Sequence, residues 1–319
     1  MNPSMDSHAS GVLHETLVGH YIQGGKHMEK HPDVNGLSPE HAHDKSRRIV
    51  SEDQYNTIDN HAKDAAVDIK KKIESNGHTI SHVSWTSKPG DIEKTTKISS
   101  TQDQDASDIV VHTKEGHHYG ISLKRRSAFG PNGTTVSNRS ADDAVEGVSA
   151  IKTAHRNAIH NAVPGLAKLA SREDRKTHID TLSQDVKDKI KTINRNTLRD
   201  ITDKMHQHIT NMSPDLLSNH LTTLLHAHQT PLEKNGHTHI QHITHRSKGG
   251  GVATKSVTPS EHYSDVIKNA GKISTVRRGN TISFYGEHGN RIAAQRTKFD
   301  SMSDPSDATV KIAGTTHSL

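Results

Sequence analysis

Apolar residues in this chain arrive in short periodic bursts separated by polar stretches, and that spacing permits only small cores. Hydrophobic residues make up 29% and aromatics 3% of the 319 residues. The expected organisation is therefore two or three modest folded units with polar extensions, not one large globule. No apolar run is long enough for a membrane-spanning helix, and the opening residues MNPSMDSHAS lack the basic and apolar segments of a secretion signal. The expectation is a protein with no membrane partner, working in the cytoplasm, or in a host cytoplasm or virion if viral.

With no cysteine, disulfides, thiolate zinc sites and cysteine nucleophiles are excluded. Any catalysis must rest on carboxylates, lysine, histidine or hydroxyls. Lysine and arginine outnumber acids by 41 to 36, a net charge of +5, and 28 histidines stand beside them. At the reference histidine pKa roughly half of those rings are charged at pH ~6.5, adding ~14 positive charges, so binding to a polyanion should tighten as pH falls.

Residues 11–23 place Leu13, Leu17 and Tyr21 on one helical face, ended by Gly24 and Gly25. Ser38-Pro39-Glu40 is an N-cap followed by proline, and Ser51 to Gln54 has capping-box spacing before a helix reaching about Glu74. Extended segments are expected at His78–Trp85, Asp108–Thr113 and His118–Lys124, with Lys114-Glu115-Gly116 as a tight turn between the last two. The stretch 87–107 reads as a loop or short edge strand. Gly130 to Gly133 breaks the structure, and a helix should open at Ser140 and run to about Asn161. From 165 to 230 the pattern is helical. Beyond 236 it turns β-rich, with strands at His239–His245, Ile273–Arg277, Thr281–Tyr285 and Ile292–Phe299, and a possible further strand at Thr309–Ile312. This reads as α+β: a mixed sheet flanked by helices in 1–164, a helical insertion or arm in 165–235, and a β-rich region with a tail in 236–319.

The chemistry-bearing residues lie in the first part. Asp108 opens an apolar strand, and Ser122-Leu123-Lys124 closes the next. Ser122 and Lys124 leave one face of that strand while Leu123 packs on the other, so in a hairpin both can look toward Asp108. A carboxylate beside a lysine suits metal-assisted phosphodiester hydrolysis. The acid holds Mg²⁺ or Mn²⁺, and the lysine positions water or offsets developing charge. A second acid should lie nearby.

On these residues the chain resembles the PD-(D/E)xK nuclease superfamily over about its first 150 positions. The resemblance implies a restriction-endonuclease-like core. It makes Asp108 the metal-binding acid, Lys124 the lysine and Glu15 the helix-borne acid. Residue 107 is Ser rather than Pro, and Ser122 stands where the second acid belongs. Some restriction enzymes of the superfamily carry Ser-x-Lys and supply the acid from a later Arg-x-x-Glu. Here Arg139-Ser140-Ala141-Asp142 offers Asp142 in that role. The implied activity is Mg²⁺- or Mn²⁺-dependent cleavage of DNA by a possible homodimer, with Lys124, Arg125, Arg126 and Arg139 on the phosphate backbone. Arg277, Arg278, Arg291, Arg296 and Lys298 are further candidate phosphate contacts. The alternative is a non-catalytic nucleic-acid-binding or assembly protein on the same fold.

Other motifs carry less. His237, His239, His242 and His245 resemble the start of an HNH motif, but their spacing reads as a His-rich strand face. Gly249 to Gly251 lacks the ending of a phosphate-binding loop. Trp85 and Phe129 are too isolated for a base-stacking platform.

Overall fold

The computed structural model describes residues 3–26, 28, 38–86, 90–101, 104–126, 134–142, 144–246, 252–300, 304–307 and 309–317. The chain is α+β and divides into two units, one of residues 1–134 and 227–263, the other of 135–226 and 264–319.

The first unit contains α1 (Pro3–Ile22), α2 (Pro39–Arg47), α3 (Glu52–Ser75), β1 (Ile80–Trp85), α4 (Asp91–Thr96), β2 (Ile109–Thr113), β3 (His118–Arg126), α9 (Pro231–Lys234), β5 (Thr238–Arg246), β6 (Val252–Val257) and α10 (Pro259–His262). Its helices start where local chemistry satisfies their free N–H groups. The Ser38 hydroxyl accepts from His41 N–H at 3.2 Å, with Pro39 next. Ser51 and Gln54 make a reciprocal capping box, at 2.9 Å to the Gln54 carboxamide and 3.3 Å to the Ser51 hydroxyl. Chain reversals after α3 and between β2 and β3 fall on Gly77 (φ 79°) and Gly116 (φ 78°), a conformation that disfavours any side chain with a Cβ.

The sheet order is β1-β2-β3-β5-β6. Neighbours are antiparallel except β3 and β5, which run parallel with Ile121 opposite Ile240 and Ser122 opposite Gln241. Alternation along the strands divides the apolar residues between two faces. Val83, Ile109, Val111, Tyr119, Ile121 and Ile240 pack with Leu13 and Leu17 of α1 and Ile58 and Ile69 of α3. Val110 on the opposite face packs with Ile92 of α4 and Leu232 of α9. Each fully buried leucine or isoleucine here contributes about 1.5–3 kcal/mol.

The second unit contains β4 (Thr134–Ser140), α5 (Val148–Ala162), α6 (Arg172–Asp180), α7 (Gln184–Thr210), α8 (Pro214–Leu224), α11 (Ser264–Lys268), β7 (Ser274–Arg278), β8 (Thr281–Tyr285), β9 (Arg291–Phe299) and β10 (Val310–Thr316). Its sheet order is β4-β10-β9-β8-β7, with β10, β9, β8 and β7 paired antiparallel.

Several expectations change. Residues 165–235 are not an independent arm: Thr202 of α7 donates to the hydroxyl of Thr297 on β9 at 2.9 Å, and Ile201, Met205 and Leu221 are buried, so α7 and α8 cover the second sheet. The region 236–319 splits, because β5 and β6 complete the first sheet and only β7 to β10 belong to the second. No helix opens at Ser140. Residues 134–140 form β4, and the helix begins at Val148 after Gly147 (φ 85°). The stretch 87–107 includes α4. Gly130 to Gly133 and Gly249 to Gly251 lie outside the described residues. Among the described residues no helix is long and apolar enough to cross a membrane.

Candidate functional site

β2 begins at Ile109, and the residue before it is where the site is built. The backbone N–H of Asp108 donates to the carbonyl of Ile121 at 2.8 Å, as a ladder residue would. Its side chain then accepts from the N–H of Leu123 at 2.6 Å. The carboxylate supplies an acceptor to β3 beyond the point where β2 begins, and this bond fixes its position. Lys124 Nζ lies 3.7 Å from the same carboxylate oxygen, both side chains being about three-quarters covered.

The approach to Asp108 is pinned as firmly. Ser107 donates from its backbone at 3.0 Å and its hydroxyl at 2.5 Å to Asp105, and the Thr86 hydroxyl donates to the Ser107 carbonyl at 2.8 Å. His239 Nδ1 stands 3.2 Å from the Ser107 hydroxyl. Burial alone would raise Asp105, but the contacts from His239 and Ser107 together hold it below the ordinary aspartate range. Ser107 thus has a structural use: its hydroxyl and N–H anchor the turn that delivers Asp108.

Glu15 comes to this place from α1. Its carboxylate accepts from the Trp85 indole N–H at 2.9 Å, and Trp85 is the register partner of Ile109. Burial pushes Glu15 up to about 8, with the negative charge of Asp108 adding to it, while Trp85 and Lys124 pull the other way. Asp108 is also raised by burial, against Lys124 and the Leu123 N–H. Burial and the charge of Asp108 thus both disfavour the ionised form of Glu15, and Lys124 partly offsets the cost of charging either acid.

The structure therefore brings together Glu15, Asp108 and Lys124. Ser122 is fully buried, and its hydroxyl has no hydrogen-bond partner among the described residues. Asp142, the expected replacement, belongs to the second unit and pairs there with Lys152 at 2.6 Å. Arg139 is on β4 of that unit, 3.3 Å from His220. Arg125 follows Lys124 on β3, and burial lowers its pKa. The side chain of Arg126 lies outside the described residues. Of the HNH-like histidines, His239 turns to Ser107 while His242 turns to the opposite face, 2.7 Å from Ser256 and 3.4 Å from Asp68. They share no ligand point, because one is an odd and the other an even residue of the same strand.

Trp85 and Asp105 are the site residues that sequence reasoning missed. The signal for Trp85 was its position as the sole tryptophan at the end of a recognised strand; Asp105 carries none beyond its spacing from Ser107.

Two carboxylates, completed by water and substrate oxygens, are enough for Mg²⁺, and Glu15 with Asp108 fit that requirement. Among the described residues no group of three His, Asp or Glu side chains converges on a metal position. Comparison with family models, curated proteins and solved structures finds no match for this chain.

Proposed function

We propose that the chain is a divalent-metal-dependent deoxyribonuclease of the PD-(D/E)xK kind, acting in the cytoplasm on DNA. The observation that carries this reading is the meeting of Glu15, Asp108 and Lys124 at one end of the first sheet, with Glu15 raised to about 8 by burial and by the charge of Asp108. A bound Mg²⁺ or Mn²⁺ would polarise the scissile phosphate and lower the pKa of a coordinated water. Glu15 and Asp108 would hold the ion, Trp85 and the Leu123 N–H fixing their carboxylates in place. Lys124, anchored at 3.7 Å from Asp108, orients the attacking water or offsets charge on the phosphate. Lys124 and Arg125 would meet the backbone of the DNA, and a homodimer would engage both strands.

The test is cleavage of plasmid and linear DNA by wild type, Asp108→Asn and Lys124→Ala, in Mg²⁺, Mn²⁺ and chelator. Chelator-sensitive cutting that falls by about 10²–10³-fold in either variant is expected. Equal cutting by all three proteins overturns the assignment.

The buried Ser122 at the second acid's place favours one other reading, a non-catalytic nucleic-acid-binding or assembly protein on a degenerate nuclease core. Salt-sensitive DNA binding without metal-dependent turnover would select it.

A further inference from the structure

The face of the first sheet that carries Val110, Gly120 and Ser122 also carries a row of histidines. His82 on β1 is opposite His112 on β2, and His112 is opposite His118 on β3. Tyr119 pairs with Thr238, which sets His237, just ahead of β5, beside His118. The rings are in contact along the whole row, with centroids 4.2 Å apart for His82 and His112, 4.8 Å for His112 and His118, and 4.6 Å for His118 and His237. Four to six residues of strand separate this row from Asp108 and Lys124, roughly 13–20 Å at 3.3 Å per residue.

Within the row one pair differs from the others. Nδ1 of His112 faces Nδ1 of His118 at 3.1 Å, whereas His82 stacks on His112 with its own Nδ1 3.2 Å from the Ser81 hydroxyl, and Nδ1 of His237 is taken by the backbone N–H of His118 at 3.2 Å. Two imidazole nitrogens about 2.0–2.1 Å from one ion lie about 3 Å apart when the angle at the ion is near 100°.

We propose that His112 and His118 are a chelating pair for a borderline divalent transition ion of the Zn²⁺, Ni²⁺ or Cu²⁺ class, separate from the carboxylate site. Imidazole suits these ions and does not suit Mg²⁺. Both Nδ1 lone pairs must be free, so the ring that holds the shared proton on Nδ1 moves it to Nε2. For His112 the Ser84 hydroxyl stands 3.0 Å from Nε2 to accept it and fixes the ring, as an outer-shell partner does. No third His, Asp or Glu converges on the pair among the described residues, so water completes the coordination.

The test is isothermal titration of the full, chelator-stripped chain with ZnCl₂ and NiCl₂ at pH 7.5, repeated in a Glu15→Gln/Asp108→Asn background that removes the carboxylate site. One ion per chain should bind in that background, with an affinity within about twofold of the matching site in wild type, which takes any further ion at the carboxylates. His118→Asn should weaken that binding by about tenfold or more, while His82→Asn, which removes a stacked ring and no ligand, stays within about twofold of wild type. If His118→Asn proves poorly folded, imidazole resonances of wild type decide: His112 and His118 must respond first to Zn²⁺. Titration of folded His118→Asn like wild type, an equal loss in His82→Asn, dependence on Glu15 and Asp108, or first responses from other rings would each overturn the proposal.

Discussion

The indole N–H of Trp85 donates to the carboxylate of Glu15 at 2.9 Å, joining the last residue of β1 to the middle of α1. The only tryptophan of the chain thereby sets the orientation of an acid whose charged form burial disfavours. Trp85→Phe keeps the aromatic ring and removes the donor. It should cost about 1–3 kcal/mol in urea unfolding followed by circular dichroism, and an unchanged midpoint would show that the bond contributes nothing.

Ser122 invites the opposite experiment. Its hydroxyl is fully buried with no partner among the described residues, so it carries a desolvation cost with no bond to offset it. Ser122→Ala should therefore be neutral or up to about 1 kcal/mol more stable. A clear loss of stability would reveal a partner for the hydroxyl and refute the argument.

Gly120 lies on the same strand, where a Cβ would run into the hydroxyl of Ser107 and within 2.7 Å of Leu232 Cδ1. Gly120→Ala should cost about 1–3 kcal/mol through overpacking. Because Ser107 delivers Asp108, any DNA cleavage of the proposed kind should fall with it. Full activity at unchanged stability would show that this approach is not tight.

In the second unit, His220 donates or accepts at both ring nitrogens as a neutral imidazole: Nε2 meets Gln295 Oε1 at 2.8 Å, and Nδ1 meets the Arg139 guanidinium at 3.3 Å. Burial, then the charge of Arg139, lowers its pKa to about 4. The unfolded chain, with an ordinary histidine, binds the proton first, so this contribution is fully present above pH ~6.5 and is lost as pH falls toward 4. The loss should amount to about 3 kcal/mol. Thermal unfolding of wild type and His220→Gln across pH 4–7 checks this: the variant's stability curve should be flatter by one proton, and parallel curves would contradict it.

The same contact shows Arg139 engaged within the second unit. Read along the chain it sits at a fitting distance after Lys124 for a phosphate contact, and Asp142 follows it as a candidate acid. Both are carried into the second unit by β4, whose Val136 and Ser137 are buried there. Spacing along a chain cannot report such a transfer, because strand pairing depends on which edge is free and not on sequence separation.

What the sequence by itself determined is local: the serine caps of α2 and α3, the glycine reversals after α3 and between β2 and β3, and the hairpin that brings Asp108 toward Lys124. Each depends on hydrogen bonds and φ angles within a few residues. Only the tertiary structure decided that β5 lies parallel to β3, which requires a long crossover and buries Gln241 opposite Ser122. It also decided that α7 and α8 cover a second sheet and that Trp85 reaches Glu15 across 70 residues. Those outcomes follow from burying apolar faces against one another, a force without direction along the chain, and so they leave no local mark to read.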